Sequence, residues 1–237
     1  LRLEQIALES PALSLGGSAQ IYLRDLAQSG APQTLLVQLA LDWLELREAG
    51  LVAAPVRFEG GALDARIRLD PFTATIGQAA LFEGETALRG AGEVAARPGG
   101  WQVALDGHAD TLSAPRLLAL WPEGLRPGLR ALLSARITGG EITRLQAALR
   151  RAPGAPARFS VMHRFEGARF APGLGLPEIA QGAGYAVFDQ GGYTLSLEAG
   201  RARAPDGGAV MLGGYFAAHC GGGRWHDARG RAAPCAR

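Results

Sequence analysis

The stretch Leu63-Asp64-Ala65-Arg66-Ile67-Arg68-Leu69-Asp70 alternates apolar and charged side chains without a break. Successive side chains of a β-strand point to opposite faces, so this alternation predicts a strand with one apolar and one solvated face. A strand of this kind must bury its apolar face against something else. The stretch therefore predicts an antiparallel sheet, which tolerates one wet face.

The same period of two recurs on both sides of this stretch. Trp101, Val103 and Leu105 alternate with polar residues, and so do the apolar residues that begin at Tyr193. Gly-rich or Pro-rich turn signals separate such runs. These signals are Glu59-Gly60-Gly61, Arg97-Pro98-Gly99-Gly100, Asp189-Gln190-Gly191-Gly192 and Ala204-Pro205-Asp206-Gly207-Gly208. We predict a mainly β fold, a long curved antiparallel meander sheet whose apolar face forms a groove.

Two segments depart from the simple strand pattern. Residues 34–47 fit both a strand and a helical stripe, and the loop-like sequence that follows favours a strand. Residues 113–137 predict two short helices: Ser113 caps the first, Pro115 lies in its first turn, and Pro127 begins the second. Gly139-Gly140 is predicted to end the second helix.

The pattern divides the chain into four parts. A first group of strands covers 1–112, the helical insert covers 113–137, and a second group of strands covers 138–216. Residues 217–237 are rich in Gly and Arg and have no period, so we expect a disordered or artefactual tail. The chain does not begin with Met or a signal peptide, and we expect a segment of a longer protein whose anchor or export signal lies upstream.

Composition excludes several classes of function. The 237 residues carry 24 basic and 22 acidic side chains, for a net charge of +2, and they form no basic stripe for nucleic acid. No apolar run reaches the roughly 18–20 residues that span a bilayer as a helix. The only cysteines are Cys220 and Cys235, so the fold proper has no disulfide framework.

Residues for catalysis or cofactor binding are not grouped in a known pattern. His108 and His163 fit ordinary strand positions, and no Gly-x-Ser-x-Gly motif is present. The donors His219, Cys220, His226 and Cys235 have the right chemistry for zinc but a spacing unlike any finger or ribbon. We therefore expect no enzyme activity, no metal and no cofactor.

The middle and the second half of the chain resemble a known family. The stretches are LWPEGLRPGLRALLSARITGGEI (120–142), FEGARFAPGLGLPEIAQGAGYAVFD (165–189) and YTLSLEAGRARAPDGGAVMLGGYF (193–216). Their order of turn, short helix, Gly-rich stop and paired strands is similar to the AsmA-like superfamily, and to its YhdP-type branch most of all. The resemblance covers roughly residues 60–216.

The resemblance implies a location and a task. AsmA-like proteins are anchored in the inner membrane and extend into the periplasm of Gram-negative cells. Their β-groove is thought to conduct phospholipid toward the outer membrane, in support of outer-membrane biogenesis. The partners implied are phospholipid acyl chains, other segments of the same full-length protein and the membrane, reached through the anchor.

On this hypothesis one apolar face of the sheet contacts acyl chains. The candidate groove residues are Leu63, Ile67, Leu69, Trp101, Val103, Leu105, Tyr193, Leu195 and Leu197. A second hypothesis keeps the sheet but assigns it no lipid: it is then a structural or interaction module of the cell envelope, with the same apolar positions packed as a core. A third, an unrelated hydrolase or binding protein, lacks a recognisable nucleophile and base.

Overall fold

Antiparallel strands make up most of the chain, as the period of two predicts. The computed structural model describes residues 1–26, 32–48, 52, 54–122, 125–171, 177–203, 208–221, 224–227 and 232–234. The first eight strands are β1 (Arg2–Glu9), β2 (Leu13–Leu26), β3 (Pro32–Leu46), β4 (Val56–Phe58), β5 (Gly60–Arg68), β6 (Thr73–Glu83), β7 (Thr86–Arg97) and β8 (Gly100–Ser113). The later strands are β9 (Ile137–Arg151), β10 (Arg158–Phe170), β11 (Ile179–Asp189), β12 (Tyr193–Arg203), β13 (Ala209–Gly221), β14 (Arg224–Asp227) and β15 (Ala232–Pro234).

The strands follow one another in the sheet almost in chain order. The path runs β1-β2-β3-β5-β6-β7-β8-β9 and continues in order to β15, while β4 pairs with β3 beside β5. The predicted mainly β meander is confirmed. Within the described residues, β1 and β15 are the two ends of this path, so the sheet is open.

Two of the four predicted turns connect neighbouring strands as expected. β7 and β8 meet at Arg97–Gly100, and β11 and β12 meet at Asp189–Tyr193. The Asp189 carboxylate accepts hydrogen bonds from the backbone N–H groups of Gly191 (2.7 Å) and Gly192 (3.1 Å), which holds that turn. The signal at 204–207 lies outside the described residues, between β12 and β13.

The prediction of a turn at Glu59-Gly60-Gly61 is wrong. Val56–Phe58 pairs with the Leu44–Leu46 end of β3, and β5 pairs with the rest of β3 in the same direction. Glu59 therefore interrupts one strand path without reversing it. The ambiguous segment 34–47 lies in β3, because β2 on one side and β5 on the other both pair with it.

Two short helices follow β8, as predicted. Helix α1 (Ala114–Leu120) is capped by Ser113, whose Oγ accepts a hydrogen bond from the Arg116 backbone N–H at 3.3 Å. Helix α2 (Pro127–Arg136) begins at Pro127. It ends at Arg136 and not at Gly139-Gly140, because β9 already starts at Ile137 and includes both glycines.

The chain divides into two compact units. Unit 1 comprises Leu1–Ala49, Ala54–Ala109 and Ala147–Phe159; unit 2 comprises Gly50–Ala53, Asp110–Gln146 and Ser160–Arg237. β9 and β10 each contribute to both units. Backbone pairing also continues into the segment expected to be disordered: β13 extends to Gly221, and β14 and β15 follow.

Phe58 has 1% of its surface exposed, and among the described residues it is the largest side chain with less than 2% exposed. We expect Phe58→Ala to lower the free energy of unfolding by about 3–5 kcal/mol, because it removes buried surface and leaves a cavity. Denaturant titration measures the change. Phe82→Ala is the matched control, because Phe82 is 40% exposed, and an equal loss in both variants would contradict the assignment of Phe58 to the core.

Candidate functional site

A row of apolar side chains crosses six strands of unit 1. In an antiparallel sheet, residues directly opposite each other on neighbouring strands point to the same face. Ile67 on β5 lies opposite Leu35 on β3 and Ala74 on β6, and the register carries the row outward on both sides. The complete row is Leu23, Leu35, Ile67, Ala74, Val94 and Val103.

Two neighbouring rows share this face. They are Ile21, Val37, Ala65, Ile76, Gly92 and Leu105, and then Ala19, Leu39, Leu63, Ala79, Gly90 and Gly107. None of these positions carries a charge or a hydrogen-bonding side chain. We call the surface formed by these three rows the apolar face.

The other side of the same strands is polar. Asp64, Arg66 and Arg68 alternate with the residues of the apolar face and are exposed. Their partners on β6 are Gln78, Thr75 and Thr73. The Thr75 hydroxyl lies 3.4 Å from the Glu93 carboxylate on β7, on this same polar face. Across β5, β6 and β7 the sheet of unit 1 therefore has one apolar and one polar face.

The apolar face is only partly shielded from solvent. Leu63, Ile67, Val103 and Leu105 are all half-buried, and Trp101, on the same face beyond Val103, is 48% exposed. The large side chains of unit 1 that are buried outright are Leu44, Val56 and Phe58, near the β3–β4 connection. Beyond that cluster, the side chains of the apolar face keep part of their surface exposed.

Leu69 departs from its expected position. It lies one residue past the end of β5, is 44% exposed, and donates its backbone N–H to the Gln33 carbonyl at 2.9 Å. It therefore belongs to the β5–β6 connection and extends the apolar surface at the strand ends.

The three candidates on β12 lie in unit 2 and have different surroundings. Tyr193 and Leu197 are each only 5% exposed, and Leu195 is half-buried. They share a face with Phe188 and Ala186 of β11, which are also buried. Burial raises the pKa of the Tyr193 hydroxyl.

The helical insert packs on this face of unit 2. Trp121, at the end of α1, lies over Phe188 with 4.6 Å between the ring centroids, and its indole N–H donates to the Leu125 carbonyl at 2.6 Å. The Arg126 guanidinium donates to the Gln190 carbonyl, beside the β11–β12 turn. The structure thus places Leu63, Ile67, Trp101, Val103 and Leu105 on one accessible face, and Tyr193 and Leu197 in a packed interior.

The sequence pattern missed several residues of these two surfaces. Leu35, Val37 and Leu39 line the apolar face, but residues 34–47 also fit a helical stripe, which concealed the period of two. Trp121 is not among the residues that the sequence pattern singles out. Its role depends on contact with Phe188, which is distant in sequence, and no local pattern signals it.

The polar groups of unit 2 that resemble catalytic residues are not paired. Ser196 is fully buried, and its hydroxyl has no hydrogen-bond partner among the described residues. His163 shares a face with Ala186 and Leu195, so it lies on the opposite side of the sheet from Ser196. These two residues therefore form no nucleophile–base pair. No described group of three or more His, Cys, Asp or Glu side chains is placed to bind a metal ion; the four tail donors are not described at side-chain level.

The comparisons with protein-family models, with curated proteins and with solved structures give no match to this chain. Within the described residues, neither helix has the length and apolar character needed to cross a membrane. The apolar face of unit 1 is therefore the feature of the described structure that bears most directly on function.

Burial lowers the pKa of His163 below its ordinary value of 6.5, although a contact with the Arg164 carbonyl opposes the shift. The unfolded chain then binds a proton at a pH where the folded chain does not. We expect the free energy of unfolding to decline as the pH falls below about 6.5 and on toward the lower folded pKa. His163→Gln should flatten this decline in denaturant titrations repeated across that range. An unchanged profile in His163→Gln would contradict the burial of this imidazole.

Proposed function

We propose that this chain is a non-enzymatic segment of a cell-envelope protein that conducts phospholipid, and that acyl chains contact the apolar face of unit 1. The observation that supports the proposal most directly is the row from Leu23 to Val103, which is apolar on every strand and partly exposed. The sequence resemblance to AsmA-like proteins points the same way.

The chemistry of an acyl chain fits this surface. Each methylene that leaves water gains about 0.8 kcal/mol, and the gain requires only a continuous apolar surface without unpaired polar groups. The three rows of the apolar face provide such a surface, and the polar face on the other side keeps the sheet solvated. In the full-length protein we propose a periplasmic location with attachment to the inner membrane.

A second candidate is a structural or interaction module of the envelope with no lipid cargo. The observation that favours it is the packing of unit 2, where Trp121 covers Phe188, and Tyr193 and Leu197 are buried. We therefore assign unit 2 a supporting role and limit the proposed lipid contact to unit 1.

The test is phospholipid co-purification, measured by native mass spectrometry and lipid extraction on the full chain purified from a Gram-negative host. We expect wild type to retain phospholipid and Ile67→Asp to retain at least about tenfold less, because the substitution places a charge in the acyl contact. Ala62→Asp adds the same charge to the same strand but on the opposite, exposed side. It should retain lipid.

Three outcomes would contradict the proposal. A folded, monodisperse wild type without lipid would favour the packed module. Retention of lipid by a folded Ile67→Asp variant would show that lipid binds elsewhere. Equal loss in Ile67→Asp and Ala62→Asp would show that the apolar face has no special part in binding.

A further inference from the structure

The two ends of the strands in unit 1 carry opposite charge. One end holds the β2–β3, β5–β6, β7–β8 and β9–β10 connections. We call this end the basic rim, and we define it as the described residues of these connections together with the three nearest residues of each adjoining strand. Its charged side chains are Arg24, Asp25, Arg66, Arg68, Asp70, Arg97, Arg150, Arg151 and Arg158. The other end holds the β1–β2, β3–β4, β4–β5 and β6–β7 connections and is defined in the same way. Its charged side chains are Glu9, Glu45, Arg47, Glu48, Arg57, Glu59, Glu83 and Glu85. We call it the acidic rim.

Among the described residues, two arginines of the basic rim are paired. Arg150 contacts Asp106 at 2.6 Å, and Arg97 lies 3.8 Å from Glu93. The exposed arginines without an ion pair or a hydrogen bond from the guanidinium to any described residue are Arg24, Arg66, Arg68, Arg151 and Arg158. Their charge is thus available to an anionic partner.

Three of these arginines are grouped by the register. Thr34 on β3 lies opposite both Arg24 on β2 and Arg68 on β5, so the two arginines flank it on the polar face. Strands lie about 4.8 Å apart, which separates the two backbones by about 10 Å. Arg66 is two residues from Arg68 on the same face. Such a spacing suits several separate anionic groups on one surface better than one small anion.

Exposed apolar side chains occupy the same rim. Leu23, Leu26, Leu69 and Trp101 are exposed by 54%, 65%, 44% and 48%. Trp101 packs edge-to-face on Phe72 with 5.8 Å between the centroids, which fixes the indole at the start of β8. Leu23 and Trp101 belong to the same side of the sheet as the apolar face. The basic rim thus joins unpaired arginines with exposed leucines and a tryptophan.

We propose that the basic rim docks on the surface of an anionic phospholipid bilayer. Arginines attract anionic headgroups, while tryptophan and leucine favour the boundary between headgroups and acyl chains. The acidic rim repels the same surface, so the strands of unit 1 bind by one end only. This goes beyond lipid contact with the apolar face, because the rim docks whether or not that face holds an acyl chain.

The test is flotation of the full chain with vesicles of phosphatidylcholine, with and without phosphatidylglycerol. We expect binding to the anionic vesicles that weakens with salt. Arg66→Gln with Arg68→Gln should weaken this partitioning by about 30-fold. Arg47→Gln with Arg57→Gln removes the same charge from the acidic rim and should not weaken it. Circular dichroism checks that each variant is folded.

A second measurement places the indole in the membrane. Bromine-labelled phosphatidylglycerol should quench the fluorescence of the wild type and of Trp43→Phe, while Trp101→Phe should lose most of the quenching. Equal binding to neutral vesicles, equal loss from both arginine pairs, or quenching that survives in Trp101→Phe would each overturn the proposal. So would complete release of the chain by soluble glycerophosphate, because it would identify a small phosphate ligand instead of a bilayer.

Discussion

The register of the antiparallel strands is the constraint on which the rest of unit 1 depends. A slip of one residue moves every side chain of a strand to the other face. Ile67 faces the same way as Leu35 and Val94 only because the pairing of β3, β5, β6 and β7 places these apolar residues on the same side of the sheet. The separation of an apolar face from a polar face is therefore a property of the pairing between strands and not of any single strand.

β-Bulges keep apolar side chains on one face of the sheet where the sequence departs from strict alternation. On β6, Ile76 and Ala79 are three residues apart yet both lie on the apolar face, because Gly77 is an extra residue in the pairing with β5 and β7. On β3 the spacing of Leu41 and Leu44 is absorbed in the same way, at a register shift opposite Gly16 and Gly17. A strict period of two assigns such residues to the wrong face, which limits what sequence alone predicts.

The predictable part of the fold is the part that local chemistry decides. The turns at Arg97–Gly100 and Asp189–Gly192, the Ser113 cap and the start of α2 at Pro127 all follow from residues within a few positions of each other. The prediction that Gly139-Gly140 ends α2 is wrong, because the pairing of β9 from Ile137 onward outweighs the local signal. Five of the candidate groove residues share one face, as the alternation predicts. Whether other residues cover a face depends on contacts that are distant in sequence.

The two units differ in how far the apolar face of the sheet is removed from solvent. Both contain strands with apolar residues at alternate positions, and an apolar sheet face in water is unfavourable unless something covers it. In unit 2, Trp121 lies over Phe188, and Tyr193 and Leu197 on the same face are removed from solvent. In unit 1, Leu63, Ile67 and Val103 keep part of their surface exposed across several strands. The register that places these side chains on one face therefore also leaves that face without the cover that Trp121 gives to Phe188 in unit 2.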